Sequence, residues 1–216
     1  MKSITKIGLL SLMILMAYSC KKDTKSAVKG EAAPVAEATG KTYNVSTANS
    51  VINWKGSKIA GSHTGTFKLS NGTLNVEGNK ITGGEFTIDI KSIKNTDMAA
   101  GEGKEDLEGH LLAADFFDAA KYPTAKFEIT KVTSLAGQAE ANALVYGNLT
   151  LKEVTKEIGF KAQTKISESG VSISTPTFKI NRTDFGMKYG SASFFDNLKD
   201  KAINDEVELS ISLTAK

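Results

Sequence analysis

From Tyr43 to the end of the chain, apolar and polar residues alternate with a period of two, and this constrains the fold more than any other feature of the sequence. Successive side chains of a strand point to opposite faces, so alternation gives each strand one apolar and one wetted face. In "SVINWKGSK" Ile52 and Trp54 share a face, and in "GGEFTIDIKSI" Phe86, Ile88 and Ile90 oppose Thr87, Asp89 and Lys91. "TAKFEITKV" sets Phe127 and Ile129 against Lys126 and Glu128. "ALVYGNLTLKEVTKEIGF" carries Val145, Leu149 and Leu151, then Ile158 and Phe160, around a turn near Glu153. "TGTFKLSNGTLNVEG" predicts a hairpin turning at Asn71-Gly72, a dipeptide favoured in two-residue turns. With the runs "VSISTPTFKINRTDF" and "DEVELSISLTAK" this makes about eight strands, an all-β antiparallel sheet whose edges vanish if it closes into a barrel.

Two segments break the alternation. "TDMAAGEGKEDLEGHLLAADFFDAAKYP" has Leu107, Leu111, Leu112 and Phe116 at helical spacings before Pro123, and "SASFFDNLKD" suits a short helical turn. Long excursions between strands often serve as lids or functional loops. Phe194 and Phe195 then either cover an opening or pack into a core.

The beginning of the chain reads differently. Lys2 and Lys6 precede a run from Ile7 to Tyr18 that is almost wholly apolar, and Cys20, the sole cysteine, follows "MAYS". A charged start and a short greasy middle form a secretory signal, and twelve residues are too few to span a bilayer as a helix, which takes about 20. "AYS" suits ordinary signal peptidase, while "MAYSC" resembles a bacterial lipobox. An ordinary cut leaves an unpaired thiol in an oxidising compartment, and acylation removes it. The reading is a signal peptide over 1–19, a lipidated Cys20 with a flexible tether over 20–40, and one folded domain over 41–216, exported to the cell envelope as a periplasm-facing or outer-membrane lipoprotein.

Without Lys2 and Lys6 the 27 basic residues become 25 against 24 acidic, and the tether's four lysines and three acids leave 21 against 21 in residues 41–216. A neutral domain with one arginine, Arg182, lacks the basic face that nucleic acid requires. One cysteine and two histidines exclude cysteine zinc sites, iron–sulfur spacings and covalent haem. His110, Asp115 and Asp118 are conceivable metal ligands, but the same spacing arises from a capped amphipathic turn. No nucleophile–base constellation is visible, so the chain reads as a non-enzyme needing no cofactor.

"HLLAADFFDAAKYPTAKFEIT", "GNLTLKEVTKEIGF", "FKINRTDFGM" and "INDEVELSISLTAK", in this order, closely resemble the YceI-like family of bacterial periplasmic proteins, and "SVINWKGSK" and "HTGTFKLSNGTL" fit it too. The resemblance covers residues 43–216. It departs at Glu153, where the family favours glycine, and at Glu157, where it favours proline. The resemblance implies an extended lipocalin-like antiparallel barrel holding an isoprenoid chain, such as a polyprenyl or quinone tail.

If the apolar faces point inward, Trp54, Phe67, Phe86, Ile88, Phe127, Leu149, Leu151, Phe160, Phe178 and Ile180 line the interior. The same side chains also suit a small barrel filled by itself. Pattern alone leaves these alternatives open, and the resemblance favours binding. His110, Asp115, Arg182 and Asp184 are candidate rim or head-group residues, or else Arg182 pairs with a nearby Asp and His110 pins the helical excursion. The function expected is a membrane-tethered carrier or sequestering protein for an isoprenoid lipid. Its alternatives are a structural lipoprotein with a filled barrel and an enzyme acting on such a lipid. Pairing of two chains as a homodimer is left open.

Overall fold

The computed structural model describes residues 27–216, so the signal segment and Cys20 lie outside the described residues. The strands are β1 (Val28–Glu31), β2 (Lys41–Asn44), β3 (Val51–Lys58), β4 (Gly61–Glu77), β5 (Lys80–Asn95), β6 (Thr124–Ser134), β7 (Ala143–Leu151), β8 (Val154–Ser167), β9 (Gly170–Ser174), β10 (Phe178–Asn181) and β11 (Glu206–Ala215). One helix, α1 (Lys104–Leu112), lies between β5 and β6. Antiparallel pairing runs from β3 through β4, β5, β6, β7, β8 and β9 to β11, and β11 returns to β3. This is a closed eight-strand antiparallel barrel, the architecture that the resemblance implied and with which the alternation agrees.

The N-terminal end and the open end of the barrel are set by strand direction. β3 and β4 meet at the Ile59-Ala60 tip, β7 and β8 at Lys152-Glu153, and both tips lie at the end where the long segments 96–123 and 182–205 gather. At the opposite end, Ala162, Val171 and Ala215 are buried and close the barrel.

β9 and β10 are one interrupted strand. Pro176, which has no N–H for a ladder, stands between them; β9 pairs with β8, whereas β10 pairs only with β11. Ala27 fills the seam this leaves, accepting from the Gly159 N–H at 2.8 Å and donating to the Lys179 carbonyl at 2.6 Å. The chain then runs on as β1 along β8 and crosses the outer wall. The Ala33 backbone meets the Asn148 side chain, the Ala36 N–H reaches the Ile129 carbonyl at 3.0 Å, and β2 pairs with the far half of β4. The expected tether therefore differs over residues 27–40, which are held to the barrel. The segment shows no apolar period because backbone groups and polar side chains do the holding: Asn148 at Ala33, Thr82 and Glu77 at Thr39, and Lys156 at Glu31.

One turn reading is corrected. β4 continues without a turn through Asn71-Gly72 and turns instead after Glu77, with Gly78 at φ 60°. Gly72 is required by close approach, since a Cβ there would lie 2.9 Å from the Phe86 ring and 3.1 Å from Val45. A bulge between Leu69 and Asn71 bends the strand at this point. The β7–β8 turn falls at Lys152-Glu153, as the sequence indicated, with Lys152 left-handed at φ 57°. Lys152 donates to the Phe116 carbonyl at 3.1 Å, and Glu153 pairs with Lys121 at 3.0 Å, so both side chains tie segment 96–123 to the turn.

Candidate functional site: the barrel cavity

The inward positions of the strands surround a cavity of about 520 Å³. This is within the range of about 300–1,000 Å³ common for small-molecule pockets. All ten residues picked out by alternation lie on its wall: Trp54 on β3, Phe67 on β4, Phe86 and Ile88 on β5, Phe127 on β6, Leu149 and Leu151 on β7, Phe160 on β8, and Phe178 and Ile180 on β10. The barrel is thus not filled by its own side chains. Four rings form a band inside the wall, with centroids 6.2 Å apart from Phe86 to Phe127, 5.7 Å from Phe127 to Phe160, and 4.6 Å from Phe160 to Phe178. Such a wall offers burial and dispersion without direction.

Two glycines shape it. Gly65 faces Trp54 in register, and a Cβ at Gly65 would fall on the Trp54 ring and the Lys94 carbonyl. A Cβ at Gly147 would fall on the Phe127 ring. Both rings can therefore lie flat over the neighbouring strand and leave the centre open. Among the described residues, the Trp54 indole N–H is the one buried side-chain polar atom without a hydrogen-bond partner.

Polar groups on the wall belong to the open end: Ser57, Lys58, Ser62 and His63 from the β3–β4 tip, His110 from α1, and Tyr189, Asp200, Lys201 and Asn204 from segment 182–205. His110 Nε2 lies 3.0 Å from Asp115, and its ring packs edge-on against Phe116 at 5.1 Å and Tyr189 at 4.6 Å. His63 Nδ1 lies 2.9 Å from Asp97. Burial alone would raise the Asp97 pKa, but bonds from the Thr64 N–H, His63 and the Asn95 amide outweigh it and hold the carboxyl down at about 2. Glu108 anchors α1 by accepting from the Asn95 N–H at 2.8 Å and from Lys94 at 3.0 Å. Burial works to raise its pKa too, and these donors reverse the sign and lower it.

The four candidate rim residues separate. His110 borders the mouth, and Asp115 stands behind it as its partner. Arg182 borders the cavity but is 3% exposed, and its guanidinium donates to the carbonyls of Met187, Tyr189, Ile203 and Asn204 and to Asp205. Its donors are spent on segment 182–205, and desolvation lowers its pKa, with Asp205 opposing. Asp184 is exposed and lies off the wall. Asp118 occupies a turn at φ 49°, and among the described residues no three metal-ligating side chains converge.

Sequence reading missed the part of the wall supplied by segment 96–123. Leu107 and Leu111 of α1, with Phe116 and Phe117, cap the open end, and Phe117 meets Phe67 edge-on at 5.5 Å. Leu107, Leu111 and Phe116 were visible at helical spacing, but spacing does not say what they face. It also missed Val207, Leu209, Ile211 and Leu213 of β11, which the alternation in "VELSISL" could have supplied. Phe194 and Phe195 are 48% and 51% exposed and lie neither on the cavity wall nor in the core.

Comparison with known proteins agrees with this geometry. A UPF0312 protein of Pseudomonas putida (strain W619) is 34% identical over 143 residues, 63% of this chain and 70% of that protein. The crystal structure of Burkholderia cenocepacia BcnA superposes with a TM-score of 0.61 at 21% identity, covering 80% of this chain and 99% of that one. A polyisoprenoid binding domain from Saccharophagus degradans gives 0.60 at 20% identity, covering 81% and 97%. At such identities the solved structures show the fold. The profile described as "YceI-like domain" matches residues 43–215, and the chain belongs to that family.

Proposed function

We propose that this protein binds an isoprenoid lipid, of polyprenyl or quinone type, inside the barrel, and serves as a membrane-tethered carrier or sequestering protein of the cell envelope. The observation that carries the reading is the apolar cavity with its polar groups confined to one end. A tail lying along the aromatic band gains about 0.8 kcal/mol per buried methylene, or roughly 3–4 kcal/mol gross per five-carbon unit. Ordering the tail offsets part of that gain. The polyisoprenoid binding domain from Saccharophagus degradans supports this ligand class by its shared fold. The apolar run before Cys20 supports export and acylation there. At the mouth the two histidines are each held by a carboxylate, as His110–Asp115 and His63–Asp97.

The test is to express the chain in a bacterial periplasm, purify it without detergent, extract it with organic solvent and identify released lipids by mass spectrometry. Added quinones and polyprenols are then titrated against emission from Trp54, the one tryptophan of the chain. A stoichiometric isoprenoid, or uptake that strengthens with tail length, is expected. Protein with no lipid and no uptake overturns the reading.

A further inference from the structure

Among the described residues, five large hydrophobic side chains stand exposed, and four of them lie on the β3–β4 tip and segment 182–205 at the open end: Ile59 at 73%, Phe195 at 51%, Phe194 at 48% and Tyr189 at 45%. Ile59 sits on the β3–β4 tip beside Lys58, and Tyr189 borders the mouth itself. The two elements carrying them are bound together, because the Ile203 N–H reaches the Gly190 carbonyl at 2.8 Å and the Asn204 N–H reaches the Ser57 carbonyl at 2.8 Å. Asp205 fixes the aromatic pair from beneath, accepting from Ser193 at 2.6 Å and from Arg182 at 3.4 Å. Buried packing of Arg182 thus presents two phenylalanines to the outside. Exposed aromatics clustered on a braced loop mark a contact surface.

Charge selects the occupant. Lys58, Lys188, Lys199 and Lys201 share this sector with Asp196 and Asp200, giving four positive charges against two negative. Lys188 stands 4.5 Å over the Phe194 ring. Beyond the His110–Tyr189 contact the rim turns acidic at Glu105 and Asp106 of α1. Aromatic rings among lysines, beside the opening of an apolar cavity, match the boundary of an anionic bilayer, where rings sit at head-group level and lysines meet lipid phosphate.

We propose that the sector formed by the β3–β4 tip and residues 188–201 docks on an anionic membrane surface, turning the mouth of the barrel towards the lipid. This contact is separate from any anchor at Cys20, and it does not depend on whether the cavity holds an isoprenoid.

The full chain carrying Cys20→Ser has no other thiol, so Ala192→Cys places a single bimane label in this sector and Glu168→Cys places one at the opposite end, in the β8–β9 turn. The N-terminal apolar segment is common to all variants, so the readout is which end touches lipid. With vesicles of phosphatidylethanolamine and phosphatidylglycerol containing a head-group spin label, quenching is expected at position 192 and not at 168. It should be lost in Phe194→Ser/Phe195→Ser, and weakened by Lys199→Glu/Lys201→Glu, by salt or by vesicles of phosphatidylcholine alone. Equal quenching at both positions, or none at 192, overturns the proposal. A shift of the 192 label that follows protein concentration without vesicles also overturns it, in favour of self-association. Lipid-free and isoprenoid-loaded protein are run in parallel, so a failure of tail binding is read separately from a failure of docking.

Discussion

The side-chain amide of Asn148 and the backbone of Ala33, 115 residues apart in sequence, exchange two hydrogen bonds: the Ala33 N–H donates to Oδ1 at 2.9 Å and Nδ2 donates to the Ala33 carbonyl at 2.7 Å. Asn148 lies on β7 between the inward residues Gly147 and Leu149, so it points outward, and it is 5% exposed because the N-terminal strap crosses it. An amide matches a backbone N–H and C=O as another strand would. The strap thereby gains a ladder rung where no strand pairs with it.

Replacing Asn148 by leucine removes that rung and leaves two backbone groups of Ala33 under an apolar side chain. At about 1 kcal/mol per lost hydrogen bond, with more for a buried unpaired group, the expected loss is about 2–3 kcal/mol. A lower midpoint in urea, with faster amide exchange at Ala33 and Ala36 than in β5 or β6, checks both the size and the place.

This strap also shows why part of the fold was not legible in the sequence. Alternation reports which side of a strand meets apolar surroundings, so it located every wall residue it named, from Trp54 to Ile180. "EAAPVAEATG" has no such face, because it is held through its backbone by Asn148 and by the Ile129 carbonyl that a bulge leaves available. A bulge leaves no signature in composition. Asn71-Gly72 failed for the opposite reason: its turn chemistry is real, but β2 and β5 pair with β4 on both sides there, and tertiary pairing overrode the local preference. Arg182 was visible as the one arginine, yet only the folded loop shows that its donors point at carbonyls and away from a ligand.

Arg182 is therefore expected to act on stability before it acts on binding. In Arg182→Met the four carbonyls and Asp205 lose their donor, and hydrogen bonds to a charged group contribute about 1.5–3 kcal/mol each where buried. Arg182→Lys recovers little, since three donors on one nitrogen cannot span the fork that the guanidinium fills. Thermal unfolding should drop by more than about 10 °C in both variants, and segment 182–205 should become protease-sensitive, while tail uptake per folded molecule stays near the parent value. Lost uptake without lost stability would instead assign Arg182 to the ligand.

Asp97 gives the mouth a defined acid limit. Its folded pKa is depressed from an ordinary 3.8 to about 2, so the proton is bound more weakly in the folded state than in the unfolded chain. The stabilisation it contributes is thus fully present above the unfolded value and is lost as pH falls through about 2. Melting of the parent should show an added downward slope across this window, and Asp97→Asn should lack that part of it while being less stable at neutral pH. Calorimetry of the two proteins across this range makes the comparison.

Gly65 keeps the Trp54 ring flat against β4. Gly65→Ala would bring a methyl onto that ring and onto the Lys94 carbonyl, so the ring must swing into the cavity or the strands must part. Overpacking of this kind costs about 1–3 kcal/mol. Trp54 emission should shift to longer or shorter wavelength as the ring moves, and uptake of a polyprenol should fall. Unchanged emission with unchanged uptake would mean that the ring's position is not what holds this end of the cavity open.

Tail length supplies the sharpest test of how the cavity works, because a wall without directional contacts should respond to buried length and to little else. Affinity is expected to climb with each isoprene unit and to level off once the tail reaches the closed end near Ile173 and Leu213. Val145 lies on the wall of β7 towards the closed end, two residues from the Ala143–Ala162 pair, and Val145→Phe adds a ring to that space without touching the mouth. If burial sets the affinity, short tails should bind the variant about as well as the parent, and the plateau should arrive at a shorter length. A uniform loss at every length would mean that the head group or the entrance sets the affinity, and would move attention from the aromatic band to the rim around His110 and His63.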